Sequence, residues 1–275
     1  MKFQYIYQIE DFDNLENSTK YEKITELEII DTSSYLQISF KLDEEKEDNL
    51  ENFFTKLNNN FKTIQINKEN KEISNIQDII REWKKIKKEA ILGIDIPAVI
   101  DLVLDNSKYY ESEEFLSMLL KNYNIMPFFF LLNLKELNKT NSENLNLYNI
   151  IYDSELSLIL SFSFEEEKNE KGILYFKGKE NPKVDTLELR KLIREEYDVP
   201  PGKPFSLEFK IDGMYFIEKN TIQGFKANLI IDSPKVMKKI ITFELMELKN
   251  QLKNFLILLI MFFLKNIFIQ CQRLR

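Results

Sequence analysis

The chain has 275 residues, 44% hydrophobic and 30% charged, a globular balance with enough length for one large domain or two small ones. It carries no histidine and a single cysteine, Cys271, which excludes His-dependent catalytic triads, Cys/His zinc sites and an internal disulfide. A net charge of −7 and a pI near 5.1 argue against general nucleic-acid binding.

The first section reads as strands around one helix. Phe3, Tyr5, Tyr7 and Ile9 alternate with polar residues, as a half-buried strand requires. Ile24 to Ile30 and Tyr35 to Leu42 form a hairpin across the turn residues Asp31 to Ser34. The period then changes: Leu50, Phe53, Phe54 and Leu57 lie on one face of a helix. Alternation returns through Ile64 and Ile66.

The middle section is helical. Ile73, Ile76, Ile79, Ile80, Trp83 and Ile86 form an apolar stripe, with Lys84, Lys85, Lys87 and Lys88 off it as a solvated face. Trp83 shares that stripe and is expected in the core. Gly93 ends this helix and Pro97 opens the next. Tyr109 and Tyr110 follow the loop-forming Asp105-Asn106-Ser107, so at least one is expected at the surface as a contact residue. Ser112 with Glu113 and Glu114 precedes Phe115, Leu116, Leu119 and Leu120, a further helix start. Pro127 begins an apolar run, Phe128 to Leu132, too short to span a bilayer and therefore read as a buried helix. Asn138 to Asn146 is polar and read as a loop.

Strands resume at Leu156 to Phe164, with Ile173 to Phe176 as a pairing partner. Leu187 to Tyr197 is a helix stopped by Pro200, Pro201, Gly202 and Pro204. Asp212-Gly213 between alternating segments signals a hairpin. Gly224 to Ile231 adds a strand, and Ser233-Pro234 reads as the cap of a final helix. In that helix Ile241, Leu245, Leu248, Leu252, Phe255, Leu259 and Phe262 recur at four and three residues, the spacing of a heptad seam. From Phe255 to Leu264 the sequence is apolar on all sides. The seam fits burial in the protein's own core, an oligomer or partner contact, or membrane contact.

These patterns predict an α+β fold: mixed, mostly antiparallel sheets in the N- and C-terminal parts, a helical middle section and a long C-terminal helix. The sections run over 1–70, 71–148, 149–232 and 233–275, packed as one or two domains.

Chemistry is sparse. Six glycines, none clustered, leave no phosphate-cradling loop, and the Walker and Gly-x-Ser-x-Gly motifs are missing. One carboxylate arrangement resembles the core of restriction-type, metal-dependent nucleases: Asp198 followed by Glu208 and Lys210 on a strand. There two carboxylates would hold Mg²⁺ and the lysine would orient a water. Glu-x-Lys recurs elsewhere in this Lys/Glu-rich chain, so the spacing carries little weight, and no metal or cofactor is expected. The acidic clusters Asp43, Glu44, Glu45, Glu47, Asp48 and Glu165, Glu166, Glu167 suit electrostatic steering of a basic protein. The expectation is a non-enzymatic, intracellular protein-binding module. It would act as an inhibitor or immunity-type protein on a basic partner, such as a nucleic-acid-processing enzyme or a toxin. Direct nucleic-acid binding is not expected. One cysteine and a polar, alternating N-terminus set the intracellular expectation.

Overall fold

Period-two alternation is clearest in the strands Thr63–Asn67, Lys171–Glu180, Thr221–Ser233 and Met237–Glu247, where buried residues alternate with partly exposed ones, whereas Ser18 to Glu22 and Ser163 to Glu166 are exposed on both faces of their strands. A computed structural model describes residues 1–13, 17–41, 49–122, 125–131, 142–148, 150, 154–166, 171–200, 202–203, 205–219, 221–234 and 236–248. The strands are β1 (Lys2–Asp13), β2 (Asn17–Asp31), β3 (Tyr35–Phe40), β4 (Thr63–Asn67), β5 (Ser142–Tyr148), β6 (Glu155–Glu166), β7 (Lys171–Glu180), β8 (Glu208–Glu218), β9 (Thr221–Ser233) and β10 (Met237–Glu247). The helices are α1 (Asn49–Asn60), α2 (Ile76–Gly93), α3 (Pro97–Tyr110), α4 (Glu113–Lys121), α5 (Met126–Leu131) and α6 (Leu187–Glu196).

All ten strands join one antiparallel sheet in the order β4-β3-β2-β1-β10-β9-β8-β7-β6-β5. Two meanders, β1 to β4 and β5 to β10, meet where β1 pairs with β10, Phe3 opposite Glu247 and Tyr7 opposite Phe243. The separate N- and C-terminal sheets expected from the sequence are therefore corrected to one continuous sheet.

The long C-terminal helix is corrected as well. Residues 237–247 form β10, which hydrogen-bonds β1 on one side and β9 on the other. Ile241 and Leu245 stand four residues apart, a spacing that satisfies a helix face and a strand face alike. Met237, Ile241, Phe243 and Leu245 are buried while Ile240, Thr242 and Glu244 face outward, so the period is two. The β-branched run Ile240-Ile241-Thr242 also suits a strand. Ser233-Pro234 is the turn into β10, not a helix cap. Leu252, Phe255, Leu259 and Phe262 lie outside the described residues.

Two further expectations fail for local reasons. Asp212 and Gly213 lie inside β8, not at its end. Gly213 is required there by close packing: a Cβ would collide with the Phe176 ring and the Lys226 carbonyl. The chain reverses instead after Glu218, where Lys219 takes a φ of 50°. The segment read as a loop holds β5, whose Leu145 and Leu147 are buried.

Helices α2 to α5 connect β4 at one edge of the sheet to β5 at the other, on the inner face. Helix α5 sits at the centre. Its Phe128 is fully buried, with the Phe225 ring stacked at 4.9 Å and Phe243 at 5.1 Å. The buried Tyr215 hydroxyl donates to the Phe128 carbonyl at 3.0 Å, satisfying a helix-end group that water does not reach. Helix α6 packs on the same face through Leu189 and Ile193. Lys239, an inward-facing residue of β10, lies 3.3 Å from Asp11 of β1 and 3.4 Å from Glu196 of α6. The Tyr197 hydroxyl donates to Asp11 at 2.6 Å, completing a network that pins α6 to the sheet.

The β4 edge is closed. Ile73 bridges Ile66, the Asn75 amide donates to the Thr63 carbonyl at 2.8 Å, and its oxygen accepts from Gln65 N–H at 3.0 Å. These bonds occupy groups that would otherwise recruit another strand.

Two inward tyrosines tie the fold to pH. Burial, then the neighbouring Tyr21, pushes the Tyr7 phenol up to about 12 from its usual 10.0. Burial drives Tyr215 well above the same value. A raised folded-state value means the protein binds these protons more tightly than its unfolded chain. The associated stability is complete below pH 10 and is lost as pH rises toward 12. Alkaline titration should therefore show tyrosinate absorbance for Tyr7 and Tyr215 emerging together with loss of the circular dichroism signal. Titration of all twelve tyrosines near pH 10 with an intact signal would contradict this.

Candidate interaction surface

The helical layer buries less of its apolar surface than the sequence supplies. In α2 the stripe Ile76, Ile79, Ile80, Trp83, Ile86 and Ala90 is buried. Its first half joins the main core. Its second half forms a small separate cluster with Phe53 of α1, Ile94 and Val103 of α3. Trp83 is the core anchor expected from its place in the stripe, edge-on to Tyr110 at 4.8 Å. Helix α3 starts on Pro97, and among its residues Val103 and Ser107 are buried. Helix α4 is capped by Ser112, whose hydroxyl accepts from Phe115 N–H at 3.4 Å, and it buries Leu116 and Leu120.

The remaining apolar side chains face water. Leu92 at the end of α2 is 77% exposed. Leu102 and Tyr109 lie two turns apart on one flank of α3, and Phe115 and Leu119 lie one turn apart on α4, all exposed. The Tyr109 and Phe115 rings meet edge to face at 5.9 Å, which joins the two flanks into one stripe. Met118 extends it. A run of exposed large apolar residues across two helices marks a contact surface, whereas singly scattered ones do not.

Carboxylates rim the stripe: Asp95, Asp101, Asp105, Glu111, Glu113 and Glu114, against Lys108 and Lys121 over residues 94–121. Glu111 pairs with Lys87 at 2.7 Å, and Glu113 accepts from the Gln77 amide at 2.6 Å. Lys121 is held by Glu72 at 2.9 Å, and Lys108 lies 4.8 Å over the Tyr109 ring. Asp95, Asp101, Asp105 and Glu114 are exposed and make no ion pair or hydrogen bond with the described residues. The surface is thus an apolar stripe with uncompensated negative charge beside it.

A cleft of about 560 Å³ runs between α1 and α2. Three of its four cations are paired with its carboxylates, Lys56 with Glu89 at 2.7 Å, Lys85 with Glu82 at 2.7 Å, and Arg81 with Asp78, and Lys62 is the fourth. Lys85 and Lys87 are engaged with carboxylates, and Lys84 and Lys88 face water, as expected of a solvated helix face.

The other sequence-derived candidates fall elsewhere. Asp43, Glu44, Glu45, Glu47, Asp48 and Glu167 lie outside the described residues. Glu165 and Glu166 are exposed at the end of β6. Glu208 and Lys210 project from the outer face of β8 and pair with each other, which raises the Lys210 pKa through the Glu208 hydrogen bond. Asp198 follows α6, which packs on the inner face. Among the described residues no three His, Cys, Asp or Glu side chains group to hold a metal ion, and no helix is long and apolar enough to cross a membrane. Of the residues named in the sequence, the structure places Tyr109, Phe115 and Leu119 in the stripe, but only Tyr109 is expected at the surface; Phe115 and Leu119 read as part of a helix signature, and Leu102 and Met118 are not named. Apolar residues on α3 and α4 beyond a single buried stripe were the available signal.

No family model matches the chain, and no curated protein matches it.

Proposed function

We propose that the protein is a non-enzymatic protein-binding module whose α3–α4 surface takes a basic partner with an apolar face. One observation carries the reading: the Leu102–Tyr109–Phe115–Leu119 stripe is exposed beside four carboxylates that pair with none of the described residues. Apolar contact supplies the centre of such an interface, and the acidic rim steers a positively charged partner into it. The absence of histidine and the single cysteine favour binding over turnover. An inhibitor or immunity-type protein that covers a basic nucleic-acid-processing enzyme or toxin is the form of this reading that the charge pattern suits, and a reducing cytoplasm is the setting that one cysteine suits.

The test is affinity purification from the native cell with the full chain and with a Leu102→Asp/Phe115→Asp variant. Both residues are exposed, so folding should be retained. A basic protein should co-purify with the native chain, fall at least tenfold with the variant, and associate more slowly as salt rises. A captured set unchanged by the two substitutions, or indifferent to salt, would overturn the reading.

A further inference from the structure

The sheet leaves half of one strand open. Strand β3 pairs with Leu27 to Asp31 of β2, so no described residue pairs with the side of Ser18 to Ile24 that faces away from β1. Hydrogen bonds show which groups point that way. Ile29 exchanges bonds with Met1 on the β1 side, whereas the Glu26 carbonyl accepts from Lys41 N–H at 2.8 Å on the β3 side. Backbone groups alternate in direction along a strand, so Ser18, Lys20, Glu22 and Ile24 aim their N–H and C=O at the open side. Ser18 to Ile24 are all exposed, Tyr21 and Ile24 by more than half. Two devices that blunt an edge are missing. The stretch has no proline, and its register with β1 runs without a bulge from Lys2 opposite Glu28 to Asp13 opposite Asn17.

The open stretch is complementary to itself. In an antiparallel pair with a two-fold axis at Tyr21, Lys20 lies opposite the partner subunit's Glu22 and Ser18 opposite the partner subunit's Ile24, and both pairs repeat across the axis. Each of these pairs exchanges two backbone hydrogen bonds. Lys20 already lies 3.9 Å from Glu10 of β1, so the partner's Glu22 extends a row of alternating charge. At the axis the two Tyr21 rings meet as a non-hydrogen-bonded pair, the closer kind, and continue the edge-to-face contact of Tyr7 and Tyr21 at 6.5 Å. Moving the axis one residue either way sets Lys20 against Lys20 or Glu22 against Glu22, pairs that repel. Charge therefore selects both the occupant and the register.

We propose that two copies of the chain pair through Ser18 to Ile24 of β2 about a two-fold axis at Tyr21, joining their ten-stranded sheets into one. The contact uses no residue of the α3–α4 surface, so it stands or falls independently of the proposed partner.

Sedimentation of the full chain over roughly 1 to 100 μM should show a monomer–dimer equilibrium. Glu22→Pro deletes an N–H on the open side and spares the β1–β2 bonds, so dimerisation should weaken by about tenfold or more with the circular dichroism spectrum unchanged. Charge variants test the same contact without proline. Glu22→Lys and Lys20→Glu each put like charges across the axis and should stay monomeric alone, yet the two chains should dimerise when mixed. Oxidation reads the register in a Cys271→Ser background. Tyr21→Cys should form a disulfide between chains, because Cα atoms of such a pair lie about 4.5 Å apart. Thr19→Cys, which faces the partner's Lys23, should not. A native chain that stays monomeric throughout, a dimer that Glu22→Pro leaves intact, a charge mixture that remains monomeric, or disulfides forming equally at positions 19 and 21 would each overturn the proposal.

Discussion

Replacing Phe128 with alanine is expected to lower stability by about 3–5 kcal/mol, the range for deleting a buried aromatic ring. Phe128 is 0% exposed and touches Phe225, Phe243 and Phe176, which come from β9, β10 and β7. The ring is the point at which a six-residue helix, too short to be stable alone, grips three strands. The aromatic rings around it belong to a rigid sheet and cannot collapse into the void, so the loss should fall at the upper end. Urea denaturation would show a lower midpoint with an unchanged slope, and Phe128→Leu should lose less than half as much. A change below about 1 kcal/mol would mean that α5 does not anchor the helical layer.

The second large effect is expected at Lys239. Its side chain is 9% exposed and holds two carboxylates, Asp11 and Glu196, which are 22% and 24% exposed. Lys239→Ala removes the cation and leaves two partly buried negative charges facing each other. Breaking a buried pair from one side costs about 3–5 kcal/mol, because the remaining charge loses both its partner and its water. Neutralising all three groups should restore most of the loss. Asn at position 11 keeps an acceptor for the Tyr197 hydroxyl, so Lys239→Met with Asp11→Asn and Glu196→Gln should unfold within about 1 kcal/mol of the native chain. If the triple variant is as unstable as Lys239→Ala, unpaired carboxylate charge is not the source of the loss, since methionine keeps the apolar stem and the two carboxylates are gone.

Local signals in the sequence located the elements that local physics builds. The alternation through Phe3 and Tyr5, the turn at Asp31 to Ser34, the α2 stripe around Trp83 and the Ser112 cap all read correctly, because each depends on residues within a turn or two of one another. The errors share a different origin. Asp-Gly looks like a hairpin until Phe176, on a neighbouring strand, claims the space above Gly213. Ile241 and Leu245 look helical until β1 and β9 flank them. In both places the deciding neighbour is remote in sequence, and propensity yields to tertiary pairing. The interaction surface was half legible. Tyr109 is exposed as expected, although Asp105-Asn106-Ser107, read as loop-forming, lies inside α3; Asp95, Asp101, Asp105 and Glu114 are spaced along the chain and form no run. Density of charge pointed instead to Asp43 through Asp48.

The pairing of β1 with β10 also bears on how the polypeptide is made. The first strand is complete early in synthesis, yet the strand that covers its open side is the last of the sheet to leave the ribosome. At translation speeds of roughly 5–20 residues per second, the nascent N-terminal meander waits on the order of ten seconds or more with that side bare. Such an interval favours capture by chaperones or by a second nascent chain. Slower growth at reduced temperature and co-expressed chaperones should therefore raise the soluble yield, and a circular permutant that begins at β5 and places β1 directly after β10 should need neither.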